Sequence, residues 1–420
     1  MSTSLKSQFL LDPDVVFLNH GSFGATPRPV MEACQGFQLE LEREPVRFLS
    51  TRARELLIES RSALAEYVGV GTDDIIYFPN PTTAMNVVAR SLADAYSAGN
   101  GKSAEGRPAG RPPLRLREGD EILTTDHEYG AMERTWRYVC YRTGALMVRQ
   151  HIPTPVTTQA EFVELFWSGV TPRTKVIFLS HITSPTALIF PLAEICRRAR
   201  EAGILTVVDG AHAIGQIPLD LRELDADIYT AACHKWLSSA KGCAFLYTRP
   251  DMQPWLEPLV VSFGWENDHP GPSRYVDWHQ WQGTRDLSPF LSVPAAIKFQ
   301  KDNDWDSVRR RCHLMAIDTR RRIHALSGLE PICPEPVVPP AGAAIPDSAA
   351  WFCQMFSARL PQVNVDLLRR RMWDEYRIEV PLGPWQNQVR LRISFQGYND
   401  QADADTLVEA VSRLLPEVAL

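Results

Sequence analysis

Two short apolar runs, each followed by a reactive side chain, constrain the fold of this chain more than any other feature. The run from Ile204 to Val208 is largely β-branched and is followed by Asp209. A second run, Asp227 to Ala231, is soon followed by Lys235. Such runs are typical of buried parallel strands, which bring the residues after them to one edge of a sheet. The sequence therefore predicts an α/β fold with Asp209 and Lys235 close together at the edge where such folds bind ligands.

A carboxylate beside a lysine suits the chemistry of pyridoxal phosphate. The lysine can hold the cofactor as a Schiff base, and the carboxylate can keep the pyridine nitrogen protonated. Strand-end carboxylates and lysines are also common in α/β proteins that bind no such cofactor. The pair alone therefore leaves both interpretations open, and the residues around it have to decide.

Longer motifs around these residues resemble the fold-type I pyridoxal-phosphate enzymes of the class V aminotransferase superfamily. The motifs are Asp209-Gly210-Ala211-His212-Ala213, His234-Lys235-Trp236, Phe17-Leu18-Asn19-His20-Gly21-Ser22-Phe23-Gly24 and Ser180-His181-Ile182-Thr183-Ser184-Pro185-Thr186. The last two are most similar to the branch that contains isopenicillin N epimerase and hercynylcysteine sulfoxide lyase. The resemblance implies a large, mostly parallel seven-stranded sheet domain, a smaller α+β C-terminal domain and pyridoxal phosphate as the cofactor.

The length of the chain also favours two domains, because 420 residues exceed one ordinary hydrophobic core and 45% of them are hydrophobic. We expect an N-terminal arm and active-site loop over residues 1–30, a large cofactor-binding domain over 31–288 and a small domain over 289–420. Residues 99–118 are rich in Gly, Pro, Ser and Arg and predict a solvent-exposed insertion. The proline-dense stretch 331–346 predicts a rim loop.

Charge and cysteine usage exclude several classes of protein. A net charge of −6 and a pI near 6.0 argue against a nucleic-acid or anionic-membrane partner. The first residues contain no signal-peptide core and no apolar run approaches the roughly 20 residues that span a bilayer, so we expect a cytoplasmic protein. The eight cysteines show no Cys-x-x-Cys spacing, which indicates neither a zinc site nor disulfides.

Thr82 and Thr83 form a candidate phosphate site. They follow the predicted strand Ile75 to Phe78 and precede the helical run Ala84 to Tyr96. Free N–H groups and the helix dipole favour a phosphate at such a helix start, although N-capping by threonine is the alternative. The resemblance assigns the cofactor phosphate to Thr82, with Thr83 next to it.

The resemblance also implies the other cofactor contacts and a homodimer. His127 would stack on the pyridine ring, with Tyr129 as the rival candidate. Ser184 and His212 would contact the phenolic oxygen, and His234 precedes the lysine. Thr284 would reach the phosphate of a neighbouring subunit. Ala232 stands where relatives often carry a hydroxyl residue, so one phosphate contact is expected to be missing.

Substrate contacts are predicted from the N-terminal loop and from a strand near the C-terminus. Val389 to Ser394 alternates in the manner of a half-exposed strand, with Arg390 and Arg392 on one face. The resemblance assigns the substrate α-carboxylate to Arg392, and a solvated edge-strand arginine is the alternative. His20 and Tyr129 are candidates for a second proton-transfer group. The loop from Asn19 to Pro27 either lines the site or forms a surface turn.

Together these residues predict an enzyme that removes the Cα proton of an amino-acid substrate. We expect an activity like that of isopenicillin N epimerase, with C–S lyase and aminotransferase activities as alternatives. A cysteine desulfurase needs a nucleophilic cysteine shortly before the carboxylate-binding arginine, and Glu379 to Gln388 contains none. A non-catalytic scaffold has no reason to retain Asp209, His212, Lys235 and Arg392 together. A nicotinamide-dependent dehydrogenase lacks support because no Gly-x-Gly-x-x-Gly follows a predicted strand.

Overall fold

The computed structural model describes residues 5–93, 114–336 and 350–420. Most of the expected insertion at 99–118, and most of the proline-dense stretch 331–346, lie outside these residues. Within the described ranges, no helix combines the length and the apolar character that crossing a membrane requires.

The strands supply two sheets that matter for function. In chain order they are β1 (Val16–Phe17), β2 (Ile75–Phe78), β3 (Glu121–Thr125), β4 (Leu146–Gln150), β5 (Thr174–Ser180), β6 (Leu205–Asp209), β7 (Ile228–Ala232), β8 (Ala244–Thr248), β9 (Met355–Leu360), β10 (Ile378–Glu379), β11 (Leu382–Trp385) and β12 (Gln388–Ser394).

The large sheet joins seven of the described strands in the order β2-β8-β7-β6-β5-β3-β4. The neighbouring pairs from β7 through to β4 are parallel, and β8 is antiparallel to both β2 and β7. Strands β2, β3, β6, β7 and β8 are buried along their whole length, as continuous apolar runs require. The prediction of a large, mostly parallel seven-stranded sheet is confirmed.

Helices pack around this sheet and continue into the C-terminal part of the chain. They are α1 (His20–Phe23), α2 (Arg28–Arg43), α3 (Pro45–Arg47), α4 (Ala53–Tyr67), α5 (Pro81–Ala93), α6 (Gly130–Thr143), α7 (Gln159–Trp167), α8 (Leu192–Glu201), α9 (Leu221–Leu224), α10 (Arg274–Gln280), α11 (Ser288–Leu291), α12 (Val293–Asp302), α13 (Trp305–Ser327), α14 (Val365–Tyr376) and α15 (Gln401–Leu414). Helix α3 begins at Pro45, where proline cannot donate the backbone hydrogen bond that would continue α2.

The C-terminal part contains a second, antiparallel sheet in the order β11-β12-β9. Here the prediction for Val389 to Ser394 is wrong in one respect, because β12 is the central strand and most of its residues are buried rather than half-exposed. Strand β10 pairs in parallel with β1, which ties the N-terminal segment to this region. The proposed domain boundary at residues 288 and 289 stays a prediction.

Three parallel strands end side by side at the edge of the large sheet. In the ladder, Ser180 of β5 pairs with Asp209 of β6, and Asp209 pairs with Thr230 of β7. The loops that follow β5, β6 and β7 therefore start from the same edge, which is where open α/β sheets bind ligands.

Candidate active site

A cavity of about 390 Å³ opens at this edge, and we call it the inner cavity. Its lining includes most of the residues that the sequence predicted for the cofactor: Thr82, Tyr129, Ser184, Asp209, His212, His234 and Lys235. His234 is fixed there by a 2.8 Å hydrogen bond from Nδ1 to the Cys243 carbonyl oxygen. The structure thus brings together residues from several separate loops.

Lys235 and His212 form a polar pair inside this cavity. The Lys235 Nζ lies 3.3 Å from His212 Nε2, and the indole N–H of Trp236 lies 3.3 Å from His212 Nδ1. Because an indole N–H can only donate, Nδ1 accepts and the hydrogen of the neutral ring is on Nε2, facing the amine. Burial lowers the pKa of Lys235 to about 8 and holds the pKa of His212 well below its usual value. The pair thus favours a neutral, nucleophilic lysine amine.

Asp209 is a buried carboxyl group with a single hydrogen-bond donor among the described residues. The Ala211 N–H donates to Oδ1 at 2.9 Å, and Oδ2 receives no hydrogen bond there. Burial raises the pKa of Asp209, while the nearby Lys235 ammonium opposes that rise. A buried carboxylate with a free oxygen calls for a cationic donor, and a protonated pyridine nitrogen is such a donor. This residue therefore fits pyridoxal phosphate.

The start of α5 provides one free donor for a phosphate. The side chain of Asn80 caps the helix by accepting from the Thr83 N–H at 2.8 Å and from the Thr83 hydroxyl at 3.1 Å. Pro81 has no N–H, so the Thr82 N–H remains available, and Thr82 lines the inner cavity. Asn80, rather than a threonine, thus performs the capping, and Thr82 fits an anion.

The loop from Asn19 to Pro27 lies against the inner cavity. Of the two predicted alternatives, lining the site or forming a surface turn, the structure therefore favours the first. Ser22 and Phe23 line the cavity, and Gly24 has a φ of +71°. A Cβ atom at Gly24 would lie 2.1 Å from the carbonyl oxygen of His234, so only glycine permits this close approach.

A second cavity, of about 750 Å³, adjoins the first and shares Tyr129 and Ser184 with it. We call it the outer cavity. Arg392 lines it and lies between the two, because its Nη1 donates to the Ser184 carbonyl and hydroxyl at 2.7 and 3.0 Å and its Nη2 donates to the Ser22 hydroxyl at 3.0 Å. Since β12 is a central strand, the alternative of a solvated edge-strand arginine is wrong.

Four predicted site residues, Thr83, His127, His20 and Thr284, do not line the inner cavity, and Arg392 lines the outer one. The imidazole of His127 is buried with Nδ1 2.9 Å from the Thr186 hydroxyl and Nε2 2.9 Å from the Ile152 carbonyl oxygen. Tyr129, its rival, does line the cavity. In this structure, therefore, Tyr129 and not His127 offers an aromatic ring to the site.

His20 lies behind the lysine instead of beside a substrate. Its Nε2 is 2.9 Å from the Lys235 carbonyl oxygen, and its Nδ1 is 3.1 Å from the hydroxyl of Tyr398. Burial lowers the pKa of His20 to about 3, so the ring is neutral. His20 is therefore placed to hold the lysine backbone.

Thr284 lies at a different cavity, of about 910 Å³, that is lined by α3, α4 and residues 263–284. It is not among the residues that line the inner cavity of its own chain.

Sequence reasoning overlooked three residues of the site. Lys241 lines the inner cavity, and its Nζ is 3.3 Å from the Thr26 hydroxyl. Asn80 accepts hydrogen bonds from Thr83, and Trp236 donates one to His212. Asn80 could have been found, because asparagine immediately before a proline is typical of a helix start.

Comparison with known proteins shows what this arrangement is similar to. Residues 109–340, more than half of the chain, match the family model described as Aminotransferase class-V. Isopenicillin N epimerase of Amycolatopsis lactamdurans is 34% identical over 420 residues, which cover 97% of each chain. The probable chloroplastic L-cysteine desulfhydrase of Arabidopsis thaliana is 27% identical, over 99% of this chain and 86% of that protein.

A solved structure extends the similarity to the fold. The structure of C-DES with glycine covalently linked to its PLP cofactor has a TM-score of 0.77, at 19% identity, and the match covers 98% of this chain and 100% of that chain. At this identity the match shows that the two proteins share a fold.

Proposed function

Since this chain belongs to the class V aminotransferase family, we propose that Lys235 binds its pyridoxal phosphate cofactor and that the enzyme removes the Cα proton of an amino acid. The observation that carries the proposal is the convergence of three groups on two adjoining cavities: a lysine amine with a lowered pKa, a buried carboxylate and a partly buried arginine. When bound, the cofactor supplies an electron-poor ring that stabilises negative charge at Cα.

Each of the site residues has a distinct task in this proposal. Asp209 holds a proton on the pyridine nitrogen. Arg392 binds the α-carboxylate and so orients the substrate between the two cavities. Lys235, whose pKa is lowered to about 8 by burial, is the base that takes the Cα proton. His212 stays neutral and keeps its Nε2–H directed at the lysine amine, which supports the basic form of that amine.

The fate of the substrate after proton removal separates three activities. We place an epimerase first, because the isopenicillin N epimerase named above is 34% identical to this chain, whereas the desulfhydrase is 27% identical. Tyr129 lines both cavities and is our candidate for returning a proton to the other face of Cα. A C–S lyase is the second candidate, supported by the similarity to a desulfhydrase. Transamination is the third.

Deuterium exchange tests the proposed step itself. Incubating the holoenzyme with D- and L-amino acids in deuterated water should place deuterium at Cα of each amino acid that it turns over, because all three activities begin with the same proton removal. Mass spectrometry measures the label, chiral chromatography detects inversion, and pyruvate with ammonia would identify elimination. Heat-denatured protein with free pyridoxal phosphate is the control. Release of carbon dioxide without prior exchange would contradict the proposal.

We further propose that the enzyme is a homodimer in which Thr284 completes the neighbour's phosphate site. Thr284 does not line its own inner cavity, and its surroundings expose large apolar side chains, with Val46 81% and Phe263 84% accessible. Exposed apolar surface of this kind is typical of an interface.

The change Thr284→Ala is therefore expected to weaken binding of pyridoxal phosphate by roughly 10- to 100-fold, the range for one hydrogen bond to a charged group. Fluorescence titration of the apoprotein measures the affinity. Thr72 lines the same cavity as Thr284, so Thr72→Ala is the matched control and should bind normally. Mixed dimers of Lys235→Ala and Thr284→Ala subunits should regain one tight site. A fully active, cofactor-saturated monomer in sedimentation would refute the shared site.

A further inference from the structure

Arg390 has a buried guanidinium without a counter-ion. It is 4% exposed and lines the outer cavity, and its Nε and Nη1 atoms have no hydrogen-bond partner. No carboxylate in the described part of the chain forms an ion pair with it. Its one defined contact is with the ring of Trp385, whose centroid lies 4.5 Å from the guanidinium carbon. A buried charge that lacks a counter-ion is costly, which suggests that the partner is a ligand.

The neighbourhood of Arg390 increases this need for an anion. Arg359 is directly opposite Arg390 across the β9–β12 pair, and burial together with this second cation lowers the pKa of Arg390 to about 10. The guanidinium therefore keeps its charge at neutral pH. The two carboxyl groups that line the outer cavity have other partners: Glu128 accepts from Ser180 and Glu379 accepts from Asn19.

Arg390 and Arg392 lie on one face of β12, so their Cα atoms are separated by about 7 Å along the strand. Both line the outer cavity, and Arg392 alone reaches the serines of the inner cavity. The outer cavity, with a volume of about 750 Å³, has room for a long side chain beside Arg390. A substrate with its α-carboxylate on Arg392 would therefore direct its side chain into the cavity that contains Arg390.

We propose that Arg390 binds a carboxylate at the end of the substrate side chain, so that the enzyme selects α-amino acids that carry a second, distal carboxylate. This inference rests on the proposed function, since it places the substrate's first carboxylate on Arg392. A single free guanidinium matches one carboxylate in charge and in its planar, two-donor geometry.

The first test compares Cα deuterium exchange for pairs of amino acids that differ only in side-chain charge. The pairs are L-glutamate with L-glutamine, and L-2-aminoadipate with its side-chain amide. In the wild type, kcat/KM for the acid of the best pair should exceed that for the amide by about 10- to 100-fold. In Arg390→Met this preference should disappear, while the value for the amide changes by less than about threefold.

Arg369→Met is the matched control. Arg369 also lines the outer cavity, but its guanidinium already donates to Asp366 and to the Leu382 carbonyl oxygen. Its replacement removes the same charge from the same cavity and should leave the preference for the acid intact. Arg390→Met should keep or raise the thermal midpoint, because it removes an uncompensated charge. If that variant folds poorly, Arg390→Gln is used with the same expected result.

The second test needs no turnover. Calorimetry should show that glutarate or adipate binds the wild-type holoenzyme more tightly than hexanoate, and that Arg390→Met removes the difference. Any one of three results would overturn the assignment of Arg390. The wild type could exchange the acid and the amide equally well, Arg390→Met could retain the preference for the acid, or the wild type could bind mono- and dicarboxylates equally tightly. Failure to exchange any amino acid, with dicarboxylate binding still dependent on Arg390, would instead refute the proposed function.

Discussion

Replacing Lys235 with alanine is expected to reduce turnover by at least about 10³-fold, the upper part of the range for removal of a general base. The variant should also lose the yellow colour of covalently held cofactor. Both results follow from the position of the amine, which is buried in the inner cavity and 3.3 Å from His212 Nε2. Turnover and absorbance of the purified variant measure the two effects.

Lys241 provides a stringent control, because it lines the same cavity and burial also lowers its pKa. Lys241→Ala should retain the colour and the covalent linkage. Borohydride reduction of the wild type, followed by peptide mapping, should find pyridoxal on Lys235. A mapped adduct on Lys241 would refute the assignment.

The pH dependence of cofactor capture gives a further readout of the same lysine. Because burial lowers the pKa of Lys235 to about 8, the fraction of neutral amine rises through that pH. The rate at which the apoprotein captures pyridoxal phosphate should therefore increase from pH 6, reach half of its maximum near pH 8 and level off above about pH 9. A rate that continues to rise towards the usual lysine pKa of about 10.4 would indicate an ordinary, solvated amine.

The sequence alone was sufficient to predict which residues meet at the edge of the large sheet, because the apolar pattern of a buried strand is local. An apolar run between loop residues predicts a buried strand, and parallel pairing then requires Asp209 and the loop with Lys235 to meet. Strands β6 and β7 do pair in parallel, with Val207 opposite Ile228, which confirms this reasoning. The motifs near the N-terminus were likewise informative, since the loop after Asn19 does lie at the cavity.

The sequence was not sufficient where a side chain is held by residues far away in the chain. His127 and Tyr129 follow the same strand, and either ring could face the site. The choice is made by Thr186 and Ile152, which bind both nitrogens of His127 and leave Tyr129 at the cavity. Spacing within one loop cannot reveal such partners.

The orientation of His20 and the exposure of β12 depend on tertiary packing in the same way. His20 contacts Tyr398 and the backbone of Lys235, both remote in sequence. Alternation in β12 suggested one solvated face, but the face that carries Arg390 and Arg392 lines the outer cavity. A polar residue on a strand can therefore indicate a binding surface as well as solvent.

Asp209→Asn is expected to lower turnover by about 10²- to 10³-fold. The carboxylate is the group that can hold a proton on the pyridine nitrogen, and breaking a buried, charged pair costs about 3–5 kcal/mol. Asparagine keeps the shape of the side chain and can still accept from the Ala211 N–H, so the fold should be preserved. The rate of Cα deuterium exchange measures the loss, and circular dichroism checks the fold.

The charge, and not the hydrogen-bonding shape, should determine this effect. Asp209→Glu retains a carboxylate and should recover part of the lost rate, although the longer side chain misplaces it. The Asp209 charge also raises the pKa of Lys235, so Asp209→Asn should shift the pH profile of cofactor capture towards lower pH. Exchange in Asp209→Asn within tenfold of the wild type, with an unshifted profile, would mean that no proton on the ring nitrogen is needed and that Asp209 has a structural role.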